Sequence, residues 1–188
     1  RNWQLIGSLG LNVLDNENRA DPDNSRKLKW NVELGGEFFP TKSHPTLQQL
    51  GIWGSLRYLQ DGISVGQRNA QLDERSIGLG LNWHFLQPPW AVSRNIPFIG
   101  VGVRTGVATL KTKTATASNE QATYSLLSFP VVIAGLKYNL RSGWGLRLAF
   151  SVEKLLLDQT EKNVAAGTLP ARTDFLDGRI SLGFTKFY

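Results

Sequence analysis

The stretch Trp144–Glu153, WGLRLAFSVE, puts Trp144, Leu146, Leu148, Phe150 and Val152 on one side and Gly145, Arg147, Ala149, Ser151 and Glu153 on the other. Successive side chains of a strand point to opposite faces, so this is a β-strand with one apolar face and one small, partly charged face. The same period recurs along the chain. The first segment gives Trp3, Leu5, Gly7, Leu9, Leu11 and Val13, and the second gives Leu28, Trp30, Val32, Leu34, Gly36 and Phe38. Leu50, Ile52, Gly54, Leu56 and Tyr58 follow, then Ile77, Leu79, Leu81, Trp83 and Phe85, then Ile99, Val101, Val103, Thr105 and Val107. A sixth apolar face is expected from Tyr124, Leu126, Pro130, Val132, Ala134, Leu136 and Tyr138, and an eighth from Leu176, Ile180, Leu182, Phe184 and Tyr188. Pro130 interrupts the sixth. It lacks the N–H that a ladder needs, so a bulge is expected at Phe129–Pro130.

The connections alternate in character, as in an up-and-down meander with two distinct ends. Long polar loops are expected at 15–26, 66–75, 112–121 and 159–174, and shorter links at 41–49, 88–96 and 141–143. The sequence thus predicts an all-β fold, a single closed antiparallel barrel of about eight strands filling residues 1–188 as one domain.

Composition narrows the possibilities. The longest apolar run, around Phe129 to Leu136, is far short of the roughly 20 residues that a spanning helix requires. The absence of cysteine excludes disulfides and thiolate chemistry. The net charge of +6 comes from basic residues scattered among acids, without the basic patch and interleaved aromatics of a nucleic-acid surface. Arg1 opens directly on patterned sequence, as expected of a mature or trimmed chain.

Alternation alone does not tell a membrane barrel from a soluble barrel with a greasy cavity, since both alternate alike. Aromatic placement does. Trp3, Phe38, Trp83, Phe85, Tyr138, Trp144, Phe184 and Tyr188 fall at the short-link ends of strands, as an interfacial girdle requires, with Trp30, Tyr58 and Tyr124 as a sparser second belt. The opposite face mixes glycines with both charge signs: Glu33, Glu37, Asp61, Glu153 and Asp177 against Lys29, Arg57, Arg104, Lys137, Arg147 and Arg179. Buried charges need partners, so these residues are expected to form a salt-bridged plug in a narrow lumen, with Gly78, Gly80, Gly100, Gly102 and Gly183 making room for the arginines.

The last residues, SLGFTKFY, add a motif: polar Ser181, Gly183 two places on, outward Phe184 and terminal Tyr188. This ending resembles the C-terminal assembly signal of outer-membrane barrels, from which Lys186 departs. With the eight-strand meander, the whole chain resembles the OmpA/OmpX-type small barrels of Gram-negative outer membranes. The resemblance implies an outer-membrane location with periplasmic termini, a monomer, and recognition by barrel-assembly machinery through the C-terminus.

Catalytic motifs are weak. Gly100, Gly102 and Gly106 have the wrong spacing and no following helix for a nucleotide loop. His44 and His84 are the only imidazoles, too few for a histidine-rich metal site, which leaves one His with carboxylates as the metal chemistry still open; no metal or other cofactor is expected. His84 has inward parity and no His-x-Ser follows it, unlike the lipid hydrolases built on such barrels. The expected role is non-enzymatic: anchoring in the envelope and presenting polar loops, with outer-membrane lipid as a partner and lipopolysaccharide phosphates as candidates for Lys27, Lys111, Lys113 and Lys162. A passive solute channel, a soluble lipocalin-like carrier of a hydrophobic ligand and, last, a lipid A or phospholipid hydrolase are the alternatives.

Overall fold

The computed structural model describes residues 2–13, 30–41, 43–44, 47–65, 68–86, 88–112, 120–163 and 171–188. Eight strands run in chain order: β1 (Trp3–Asn12), β2 (Trp30–Phe38), β3 (Leu50–Val65), β4 (Arg68–His84), β5 (Asn95–Thr112), β6 (Glu120–Asn139), β7 (Trp144–Asn163) and β8 (Arg172–Phe187). Each pairs antiparallel with its sequence neighbour, and β1 pairs with β8 to close the barrel. Closure leaves no sheet edge through the shared height of the eight strands, the condition for holding backbone in lipid.

The apolar faces point outward. Trp144, Leu146, Leu148 and Phe150 of β7 are exposed, while Gly145, Ala149 and Glu153 are buried. The outward apolar run from Trp144 to Val152 spans roughly 20 Å along the barrel axis at ordinary rise and tilt, close to the band that crosses an outer membrane.

At the short-link end, the β6–β7 connection is the tightest. Gly143 takes φ +79°, a left-handed conformation that suits glycine, and its N–H donates to the Leu140 carbonyl. Among the described residues, the link at 39–49 carries a 3-10 turn, Leu47–Gln49. The link at 85–94 folds beneath the barrel, where Asn139 Nδ2 donates to the carbonyls of Pro89 and Ala91 at 2.7 and 3.0 Å. That tie draws buried Pro89 and half-buried Trp90 under the mouth, where Trp90 meets Phe39 edge-on.

Two expectations need correction here. Strand extends well into the stretches read as loops: β3 and β4 leave only 66–67 between them, and β7 and β8 leave 164–170 with Ala171. The residues at 15–26 and most of those at 112–121 lie outside the described residues, as does Leu28. The second correction concerns β6. Phe129 and Pro130 both face outward between inward Ser128 and Val131, and the pairing with β7 skips from Ser128 to Val131. The expected bulge is present, and the extra residue inverts side-chain parity. Tyr124 and Leu126, assigned outward from sequence, therefore point into the barrel and are fully buried.

Candidate functional site: the filled lumen and the upper barrel

From the short-link end upward, the lumen is filled in three tiers. The lowest centres on Lys137 of β6, whose Nζ donates to Glu37 Oε2, to Gln4 Oε1 at 3.0 Å and to His84 Nε2 at 2.9 Å. His84 Nδ1 lies 3.0 Å from the Gln49 carbonyl. An ammonium has three protons and no lone pair, so the accepting Nε2 and donating Nδ1 define a neutral imidazole. Asn82 Nδ2 donates to Glu37 Oε1 at 2.9 Å. Phe39, stacked on Phe187 at 5.8 Å, seals the tier from below.

The middle tier converges on Glu153 of β7. Its Oε1 pairs with Arg57 and, at 2.8 Å, with Arg179; its Oε2 accepts from Ser128 at 2.8 Å and lies 3.7 Å from Arg104 Nε. Each arginine has a second carboxylate: Glu74 for Arg57, Asp177 for Arg179, and Glu33 at 3.1 Å for Arg104. Arg179 Nε also reaches Asn12 Oδ1 at 3.1 Å. Arg147 takes no ion pair among the described residues; its guanidinium sits 4.8 Å over the Phe98 ring, lining a cavity of about 40 Å³ between the two charged tiers.

Glu33, Glu37, Arg57, Arg104, Lys137, Arg147, Glu153, Asp177 and Arg179 thus all face the lumen, but in two clusters. Lys29 and the side chain of Asp61 lie outside the described residues. Sequence reasoning missed Glu74, which sits in the stretch read as a loop; its partner spacing to Arg57 becomes visible only when β4 is known to begin at Arg68. It also missed Trp53, a large indole on the inward face of β3. The lumenal glycines serve this ring more than the arginines: a Cβ at Gly78, Gly80 or Gly102 would lie within 3 Å of it. At Gly183 the neighbour is Ser8, and at Gly100 it is Asn82.

The upper tier departs most from the sequence expectation. Leu59, Leu72, Ala108, Leu110, Ala122, Tyr124, Leu126, Leu155 and Leu157 form one buried cluster inside the barrel, with Phe175 packed against it. Charged side chains therefore occupy only the lower and middle lumen. At the same level the outer wall turns polar. Ser125 Oγ donates to the Asp158 carbonyl at 3.2 Å and Thr160 Oγ1 to the Thr123 carbonyl at 3.1 Å, while exposed Lys154–Asp174 and Arg172–Asp158 pairs stand 2.9 and 3.4 Å apart. Polarity inverts along the axis: apolar outside and charged inside below, polar outside and apolar inside above. The lower pattern matches lipid as solvent and the upper pattern matches water.

The aromatic positions bracket the lower section. Trp3, Phe85, Tyr138, Trp144, Phe184 and Tyr188 are exposed on the outer wall at the short-link end, and Phe38 and Trp83 half-exposed beside them. Trp3 and Phe38 lie 4.7 Å apart. Trp30 and Tyr58, 5.7 Å apart, stand on the outer wall near the upper boundary, without Tyr124. In the terminal motif, Ser181 and Gly183 face inward, and Tyr188 faces outward with its N–H donating to the Trp3 carbonyl. Among the described residues no group of three or more His, Asp or Glu side chains could hold a metal ion. His44 lies exposed in the 39–49 link, far in sequence from buried His84.

No family model matches the sequence, and no curated protein matches it. Solved structures do match its shape. Ail, the attachment invasion locus protein of Yersinia pestis, in complex with the heparin analogue sucrose octasulfate, superposes with a TM-score of 0.53 at 14% identity, over 98% of this chain and 96% of that one. Neisserial surface protein A gives 0.52 at 11% identity over 99% and 96%. A major outer membrane protein from Thermus thermophilus gives 0.57 at 9% identity over 99% of each chain. At these identities the likeness is one of fold, and it extends over essentially the whole length of each partner. The chain is an eight-stranded antiparallel barrel with the fold of the small outer-membrane β-barrels.

Proposed function

We propose that the protein is a non-enzymatic outer-membrane anchor whose sealed barrel carries its loop end rigidly above the membrane to engage partners at the cell surface. The observation that carries this reading is the polarity inversion. A barrel built only to span would end near the apolar belt. Here β6 and β7 run for 20 residues each, and the added length has the apolar interior and polar exterior of a water-exposed fold. That packed upper section is a rigid base for the segments at 14–29, 113–119 and 164–170, and binding segments are typically displayed on such scaffolds.

Two stacked ion networks and an apolar upper tier favour a plug over a channel, because any conducting path must unpair buried charges at a cost of several kcal/mol. The fold shared with an attachment protein and a bacterial surface protein supports a surface role. In this reading the termini and short links face the periplasm, the barrel acts as a monomer, and the C-terminal Ser181, Gly183 and Tyr188 serve recognition by the assembly machinery.

Planar-bilayer recording combined with surface display tests the proposal. The expected result is an inserted barrel without steady openings, whose tagged 164–170 segment is labelled on intact cells. Steady openings altered by Arg57→Gln or Arg104→Gln would make it a channel, and a tag accessible only after lysis would reverse the orientation.

A further inference from the structure

The cavity of about 40 Å³ between the two charged tiers has an unusual wall. Trp53 of β3, Arg104 of β5 and Arg147 of β7 meet on it, with apolar Ile6, Val131 and Ile133 around them. Trp53 Nε1, Arg104 Nη1 and Arg147 Nε are all donors, and each lacks an acceptor among the described residues. Trp53 and Arg104 are only 4 and 2% exposed, so bulk water does not serve them. A Cβ at Gly78 would lie 2.9 Å from the Trp53 ring and 3.2 Å from the Arg104 guanidinium carbon, which puts these two groups side by side. Arg147 approaches from the Phe98 ring, and Phe98 and Trp53 belong to one buried cluster.

Buried donors without acceptors are costly, the more so when charged. The charges of the wall do not cancel either. Arg57, Arg104 and Arg147 line the cavity with Glu33 and Glu153, three cations against two carboxylates. Both carboxylates are engaged, Glu33 by Arg104 at 3.1 Å and Glu153 by Arg57, Arg179 and Ser128. Glu153 stands six residues from Arg147 on the same face of β7, about 20 Å along the strand and too far for an ion pair. Water could accept from these donors but must place two protons of its own, and the orphaned side-chain acceptors on the wall are Asn82 Oδ1 and the Ser55 hydroxyl. An anion accepts from every donor and supplies the missing negative charge.

We infer that this cavity is a binding site for one small monovalent anion of halide size, chloride in ordinary media, held by the N–H groups of Trp53, Arg104 and Arg147. Where one water needs about 10–15 Å³, 40 Å³ takes a monatomic ion with one or two waters, and a large organic anion does not fit. With the ion in place the lower and middle tiers join into one charge network. The site depends on the lumen alone and stands whatever partner the loop end meets.

Urea unfolding of the barrel in lipid vesicles, with chloride exchanged for gluconate at constant ionic strength, tests the site. Folding takes the ion in, so no passage through the finished plug is needed. Once chloride exceeds the dissociation constant, the unfolding constant should fall about tenfold for each tenfold rise in chloride. Arg147→Gln is expected to abolish that dependence while unfolding near the wild-type midpoint in gluconate, because it discards an unpaired charge. Trp53→Phe keeps the ring, drops one N–H and should weaken the apparent chloride affinity about fivefold. Crystals grown in bromide should show one anomalous peak among Trp53 Nε1, Arg104 Nη1 and Arg147 Nε. Equal stability in chloride and gluconate, or cavity density without an anomalous signal, would overturn the inference and leave water as the occupant. A chloride dependence that survives in Arg147→Gln would overturn it by moving the ion elsewhere.

Discussion

Glu153→Gln is the most informative single change, because one carboxylate holds three guanidiniums. The amide keeps the shape and the contact with Ser128 Oγ but removes the charge shared by Arg57, Arg104 and Arg179. Among the described residues, five lumenal cations (Arg57, Arg104, Lys137, Arg147 and Arg179) would then face four carboxylates (Glu33, Glu37, Glu74 and Asp177). Removing one partner of a buried pair commonly costs about 3–5 kcal/mol, and each arginine here retains a second acid, so a loss near the lower end, about 3 kcal/mol, is expected. Reversible urea unfolding in lipid vesicles, followed by tryptophan emission, measures it. Since the exposed surface on unfolding is unchanged, the midpoint should fall while the slope stays constant. A loss under about 1 kcal/mol would refute the reasoning, because charges that weakly coupled behave as solvated surface pairs.

Other outcomes follow from the remaining tiers. Lys137→Met leaves Glu37 buried without its cation and is expected to destabilise by about 3–5 kcal/mol; adding Glu37→Gln should recover much of that in the same unfolding assay. Leu157→Ala empties space inside the upper barrel and should cost about 2–5 kcal/mol. Leu148→Ala trims an exposed side chain on the outer wall and should cost clearly less, which comparing the two unfolding midpoints will show. At Gly80 an added Cβ meets the Val101 carbonyl oxygen at 2.3 Å and the Trp53 ring at 2.7 Å. Backbone and ring must both shift, so Gly80→Ala is expected to lower the yield of the compact, heat-modifiable form on gels, with no change for Gly62→Ala, which stands in open space.

Much of the barrel was legible because an apolar outer face and a small or charged inner face enforce a strict period of two along Trp144–Val152 and its counterparts. The bulge at Pro130 was legible too, since a residue without an N–H cannot stay in a regular ladder. Its consequence was not. One extra residue inverts every side chain beyond it, and Tyr124 and Leu126 alternate just as well in either parity. The stretch at 68–75 misled for a different reason. Once β4 leaves the belt its outer face is Gln71, Asp73 and Arg75, so the strand loses its greasy side and resembles a loop, hiding Leu72 and Glu74. The inward glycines were visible as small residues, but only the fold shows that their neighbour is Trp53.

Site-directed spin labelling along β7 tests the central claim most directly, and the chain has no cysteine to interfere. Single cysteines from Arg147 to Thr160 would be labelled in bilayers and their accessibility to oxygen and to a water-soluble nickel complex compared. Leu148 and Phe150 should favour oxygen, Ala149 and Glu153 should be shielded from both, Leu155 and Leu157 should also be shielded, and Asp158 and Thr160 should favour nickel. Oxygen access at Ala149 with shielding at Leu148 would contradict the account, as would nickel access at Leu155 and Leu157.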